Sequence, residues 1–144
     1  MYSRSVRVLL VEDSPSDVWL LKEAFRLAKF PVQATVAHDG VQASDYLREV
    51  EAGIKICPDL IVLDLNLPRK NGRELLAEIR HRPALRSIPI VMLSSSDSED
   101  DKRQAYQLHA SYFLTKPNSL PDYVEMVKKM ERFWLSSFDL RKTA

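Results

Sequence analysis

The stretch VLLVEDSPSD, residues 8–17, decides the fold of this chain. Branched apolar residues run to Val11 and stop on two adjacent acids, Glu12 and Asp13, before Ser14 and Pro15 set up a helix start. A buried strand passing at once into a helix N-terminus is the opening of a β-α unit. Side-by-side carboxylates repel each other and resist desolvation, so this pair either faces water or holds a cation.

Outward from that stretch the same alternation recurs. VRVLLV (6–11), VQATVA (32–37), LIVLDL (60–65), IPIVMLS (88–94) and SYFLT (111–115) read as five buried strands. Ser14 as N-cap and Pro15 at the first helical position precede a stripe of Val18, Leu21, Phe25 and Ala28. Gly40 opens a second helix carrying Val41, Leu47 and Val50, and Leu75, Leu76 and Ile79 mark a third, stopped near Pro83. Asp97 is expected to cap a fourth through Ala105 and Leu108, and Pro121 to start a fifth that reaches at least Trp134. Parallel strands need crossover connections, so five strand-helix alternations predict a doubly wound α/β sandwich, a five-stranded parallel sheet with five helices on its two faces. One domain over residues 1–144 is expected, its last helix occupying about 121–140, with no room for a second.

Composition agrees. The 144 residues are 45% hydrophobic, enough for one core, and 21 Lys and Arg against 20 Asp and Glu leave a net charge of +1. That balance gives no overall field for nucleic acid or an anionic membrane. Cys57 is the only cysteine, which excludes an intramolecular disulfide, and it reads as a small filler near the core. MYSRSVRVLLVED has too short an apolar run for a signal peptide or a membrane span, so a cytoplasmic protein is expected.

Ligands of such sheets bind outside the carboxyl ends of the strands. Glu12 and Asp13 end the first strand, Asp64 lies near the end of the third, Ser94 ends the fourth and Lys116 the fifth, so all converge on one rim. Three carboxylates there raise one another's pKa unless a cation compensates, and hard oxygen ligands suit Mg²⁺. Asp64 stands inside the apolar run LIVLDLNLP, where an incidental acid is less expected than on a helix face. The ion then either binds a substrate or helps one carboxylate to be the substrate. An Asp accepts a phosphoryl group when Mg²⁺ and a lysine neutralise the incoming oxygens. One arrangement uses every part: Asp64 attacks, Glu12 and Asp13 hold Mg²⁺, and Lys116 and Ser94 clamp the phosphoryl group.

Two rival chemistries use the same architecture. A haloacid-dehalogenase-type phosphatase needs a second Asp two residues after its nucleophile, and here that position is Asn66. A flavodoxin-like nucleotide-binding module needs amides of Gly, Ser or Thr for phosphate, whereas the first loop presents acids and the chain holds only Gly40, Gly53 and Gly72. His38, His81 and His109 are scattered away from metal-ligand spacing. The run DSEDD (97–101) reads as a capping helix start, and RKNGR (69–73) as a solvated loop that can also steer a phosphodonor.

LLVEDSPSD, VAHDG, LIVLDLNLPRKNG, IPIVMLSSS and YFLTKP, in that order, resemble the successive segments of the receiver domain of two-component response regulators. The resemblance spans nearly the whole chain. It implies a flavodoxin-like sheet of order 2-1-3-4-5 and a domain that catalyses only its own phosphorylation and dephosphorylation. It implies that Asp64 is the phosphoacceptor, and that Asp13, Asp64 and the backbone carbonyl of Asn66 ligate Mg²⁺, with Glu12 contributing through water. It further implies Ser94 and Phe113 as switch residues and a cis peptide between Lys116 and Pro117. The partner it implies is a sensor histidine kinase. With no output domain in view, a stand-alone, CheY-like receiver is expected, and LHASYFLTKP and ERFWLSSFDL resemble the small response regulators of bacterial phytochrome kinases.

The last helix, PDYVEMVKKMERFWLSSF, carries more apolar surface than one stripe. Tyr123, Val127, Met130, Trp134 and Phe138 form the stripe, and Val124, Phe133 and Leu135 widen it. Together with the pairing habit of receivers, this predicts a homodimer through the fourth helix, fifth strand and fifth helix, with Trp134 or Phe138 near its centre.

Overall fold

Val8, Leu10, Leu60, Val62, Val91 and Leu93 point to one side of a sheet whose other side carries Leu9, Val11, Ile61, Leu63, Ile90 and Met92, and both sides are buried. Central strands covered on both faces read as continuous apolar runs, which is why the sequence pattern was visible. The computed structural model describes residues 2, 4–96 and 98–143, with side chains as far as residue 137. Its strands are β1 (Val6–Val11), β2 (Val32–Ala37), β3 (Leu60–Asp64), β4 (Ile90–Ser94) and β5 (Tyr112–Thr115). They alternate with α1 (Pro15–Leu27), α2 (Gly40–Glu51), α3 (Gly72–Arg80), α4 (Glu99–Gln107) and α5 (Leu120–Thr143). The strands are parallel in the order β2-β1-β3-β4-β5. The order turns at β1 and β3, so the helices after these two strands leave on opposite faces and open a crevice at their carboxyl ends.

On one face α1 and α5 cover Val8, Leu10, Val62 and Val91 with Leu21, Phe25, Tyr123, Val127 and Met130. On the other, Ala43 and Leu47 of α2, Leu75, Leu76 and Ile79 of α3 and Ala105 of α4 close the second core. Gly72 lets α3 start against the end of β3: a Cβ there would lie 2.3 Å from the Asp64 carbonyl oxygen and 2.8 Å from Leu65 Cα. This close approach fixes the third strand end, which bears Asp64.

Several expectations are corrected. β4 begins at Ile90, because Pro89 has no N–H to give the ladder, although its carbonyl still accepts from Ile61 at 3.0 Å. The N-cap of α4 is Ser98, whose hydroxyl accepts from the N–H groups of Asp100 and Asp101; Asp97 lies outside the described residues. Cys57 is exposed in the irregular segment before β3 and is no core filler. The Lys116–Pro117 peptide is trans, the isomer an X-Pro amide ordinarily prefers.

Trp134 is folded into its own domain instead of standing as surplus surface. It is 7% exposed, donates its indole N–H to the Asp59 carbonyl at 2.9 Å and packs against Phe30 and Tyr2 at centroid distances of 6.1 and 6.4 Å. The surplus apolar surface of α5 is absorbed by these N-terminal aromatics and by Tyr112, which stacks on Phe133 at 5.1 Å. The side chain of Phe138, the other residue expected at the dimer centre, lies outside the described residues. Among the described residues no helix is long and apolar enough to cross a membrane.

Candidate functional site

The carboxyl ends of β1, β3, β4 and β5 bring five of the expected side chains to one rim. Glu12 follows β1 directly, and its N–H extends the ladder to the Ala37 carbonyl at 3.0 Å. Its side chain is turned inward, 1% exposed, with Oε1 accepting from the Ser14 N–H at 3.1 Å. Asp13, one residue on, is exposed. Asp64 is 5% exposed; Oδ1 accepts from the Asn66 N–H at 3.0 Å and Oδ2 from Lys116 Nζ at 3.0 Å. Lys116 follows β5, anchored by its N–H to the Ser94 carbonyl at 2.7 Å.

Lys116 is the cation that holds the acids together. Besides Asp64 it reaches Asp17 Oδ2 at 2.9 Å, and Glu12 Oε2 lies 2.8 Å away. The Glu12 contact is one of charge without alignment, since Oε2 is buried and has no hydrogen-bond partner. Burial pushes the Glu12 carboxyl up to about 7, and the Asp64 charge adds to that; Lys116 and the Ser14 N–H oppose it. Burial lowers the Lys116 ammonium's pKa, but Glu12, Asp17 and Asp64 outweigh it and hold the group well above the ordinary lysine range.

Glu12, Asp13 and Asp64 each bring a carboxylate oxygen within 4.8 Å of the others, the only such grouping of metal-binding side chains among the described residues. Three hard oxygen donors, one orphaned and buried, fit a divalent cation that keeps part of its water shell. Ser94 is fully buried at the end of β4, its hydroxyl accepting from the Ser96 N–H at 3.0 Å. Phe113 in β5 is 7% exposed, packed in the core beneath α4. Asn66 is exposed just past β3.

The other singled-out residues stay outside this cluster. His38, His81 and His109 are exposed and apart. The acids 99–101 form the first turn of α4, where Asp101 also pairs with Arg73 at 2.8 Å. Arg69 and Lys70 pair with Asp39 and Glu78 at 3.3 and 3.1 Å.

Two residues of the site went unread in the sequence. Asp17 is not singled out by the sequence reading, and Tyr123 enters it only as one member of an apolar stripe. The available signal was position: Asp17 lies in the first turn of α1, directly after the acidic end of β1. Tyr123 is 1% exposed; burial, then the negative charge of Asp17, pushes its phenol up to about 12.

Comparison with known proteins gives a consistent result. The family of response regulator receiver domains matches residues 8–128. Response regulator Rcp1 of a Synechocystis species is 42% identical over 134 residues, which is 92% of this chain and 91% of that protein. The crystal structure of the phosphorylated cyanobacterial phytochrome response regulator RcpA superposes with a TM-score of 0.83 at 43% identity, covering 92% of this chain and 96% of that one. The Mn²⁺-bound form of Rcp1 superposes with a TM-score of 0.80 at 42% identity, over 90% and 94% of the two chains.

Proposed function

The chain belongs to the response regulator receiver family, and within that family we propose that Asp64 is the residue that takes the phosphoryl group. It is a phosphoaccepting signalling domain rather than a metabolic enzyme. The observation that carries the assignment is the single ammonium of Lys116 shared by Asp64 and Glu12 at the switch point of the sheet. A carboxylate oxygen of Asp64 attacks the phosphorus of a kinase phosphohistidine; the P–O bond forms as the P–N bond breaks, and the electron pair stays on the imidazole. Lys116 offers its positive charge to the phosphoryl oxygens, and the Ser94 hydroxyl leaves the Ser96 N–H to donate to one of them. Phe113 then repacks beneath α4.

Glu12, Asp13, Asp64 and the Asn66 backbone carbonyl are assigned to Mg²⁺; the orphaned Glu12 oxygen supports this reading. When bound, the ion supplies charge that neutralises the phosphoryl oxygens. The relative Rcp1 has been captured with Mn²⁺, which suits the same donor set.

Similarity to phytochrome response regulators supports a phytochrome-type sensor histidine kinase as donor and a cytoplasmic site of action. Pairing of two copies is assigned to the α4, β5 and α5 face, where Tyr106 stands 48% exposed on α4. Nucleic acid and membranes have no part in this reading, which rests on the balanced charge of the chain. Phosphotransfer from autophosphorylated kinases tests it: label should move from a phytochrome-type kinase to this chain faster than from unrelated kinases. Equal or no transfer from the phytochrome-type kinase would overturn the partner assignment.

A further inference from the structure

Of the nine residues of α4 only Ala105 is buried, against three in α1 and four in each of α2 and α3. The apolar anchorage of α4 lies at its carboxyl end, where Ala105, Leu108 and Ala110 join the core. No residue of 99–104 is buried. A segment with so little apolar burial opens at a lower free energy than the rest of the domain, and its amino half opens first.

Two arginines of α3, seven residues apart and so on one face of that helix, bind α4 at its two ends. At the carboxyl end Arg80 donates from Nε to the His109 carbonyl at 2.8 Å and from Nη2 to the Ser111 hydroxyl at 3.1 Å. Its Nη1 takes the Arg86 and Ile88 carbonyls at 2.8 and 2.9 Å, and the Ser111 hydroxyl also accepts the Ile90 N–H at 3.0 Å, which sews this end to β4. At the amino end Arg73 Nη2 donates to Asp101 Oδ1 at 2.8 Å, with the two side chains 31% and 22% exposed. Loss of Arg80 would leave several acceptors unpaired at once, whereas a partly exposed ion pair contributes little and is screened by salt.

We propose that α4 is a flap hinged at its carboxyl end by Arg80 and latched at its amino end by the Arg73–Asp101 pair, and that the latch opposes the response to phosphorylation; this last, regulatory half rests on the phosphoacceptor reading above. Arg73 is the fixed partner. Gly72 beside it lies against the Asp64 carbonyl, and Arg73 Nε is buried without a hydrogen-bond partner, so its stem is packed in place. Asp101 is the moving partner. It stands eight residues before His109, about 12 Å along the helix, so a tilt of about 10° about the carboxyl end carries it about 2 Å and breaks the pair. The helix itself survives the break, because Ser98 caps it through the N–H groups of Asp100 and Asp101 at 3.2 and 3.3 Å. A contact made in one placement of α4 and lost in the other biases the equilibrium toward the first.

The test uses the full chain as wild type, Arg73→Gln, Asp101→Asn, the double variant and Arg80→Lys, read by amide hydrogen exchange with mass spectrometry before any phosphodonor is added. Arg73→Gln and Asp101→Asn should each speed exchange over 99–104 about two- to fivefold, the scale of a partly exposed ion pair, and the double variant no further. Added NaCl at about 0.5 M should do the same to wild type. Arg80→Lys, which keeps the charge and loses the fork, should speed exchange over 105–111 as well. Equal protection of 99–104 and 105–111 in wild type overturns the hinge. Faster exchange spread over the whole chain in Arg73→Gln, the mark of a merely structural pair, overturns the latch, and so does no change over 99–104. With acetyl phosphate and Mg²⁺ the wild-type adduct should exchange faster over 99–104, and Arg73→Gln, already unlatched, should gain less. An adduct that leaves 99–104 as protected as before overturns the regulatory half alone. No adduct on folded wild type overturns the phosphoacceptor reading and that half together, while exchange in the resting chain still decides hinge and latch.

Discussion

Glu12 Oε2 lies 2.8 Å from Lys116 Nζ, yet no hydrogen bond reaches that oxygen. The carboxyl ionises near 4.5 in an unfolded chain and holds its proton up to about 7 in the fold. Between these values the folded state binds more protons, so the contribution of Glu12 favours folding below 4.5 and is lost as pH rises through about 7. A divalent cation needs the ionised form, so its stabilisation grows over the same window. Thermal melts of metal-free protein across this window should show a downward component that Glu12→Gln lacks. Identical pH slopes in the two proteins would refute it.

Lys116→Met leaves Glu12 and Asp64 without their shared cation. Without that charge the Glu12 carboxyl is pushed still further up, so the metal-free variant should lose about 3 kcal/mol of stability at high pH, and less where Glu12 is protonated. Saturating Mg²⁺ should recover more stability in the variant than it adds to wild type. Urea denaturation with and without Mg²⁺ decides this, and an equal gain from Mg²⁺ in both would contradict it.

Gly72→Ala would press a methyl group to 2.3 Å from the Asp64 carbonyl, against backbone that cannot yield cheaply. The expected loss is about 1–3 kcal/mol in denaturant melts, with slower phosphorylation because the end of β3 must shift. A variant as stable as wild type would show that α3 adjusts without cost.

The sheet was legible because its central strands are buried on both faces and its breakers are strong. The rim was legible because an acid at residue 64 interrupts an apolar run. The misses have local causes. Ile88 and Pro89 look like strand, but proline cannot donate to the ladder. Asp97 and Ser98 are both good caps by composition, and only backbone geometry selects Ser98. Trp134 looked like surplus surface, because its cover comes from Tyr2 and Phe30, more than a hundred residues away in sequence. The same distance hid Asp17, whose partner Lys116 lies 99 residues on, at the end of β5.

Trp134→Ala should therefore cost about 3–5 kcal/mol and leave the sedimentation of the folded protein unchanged, since the indole serves its own core. Tyr106→Glu should weaken pairing with little change in stability. Analytical ultracentrifugation separates the two: a dimer abolished by Trp134→Ala and untouched by Tyr106→Glu would reverse the assignment.

The most direct measurement is intact mass and peptide mapping after incubation with acetyl phosphate and Mg²⁺. A single phosphoryl adduct on the peptide bearing Asp64, absent with EDTA and in a folded Asp64→Asn variant, is the predicted result. An adduct that persists in Asp64→Asn, or that maps to another residue of the wild-type chain, would contradict the account.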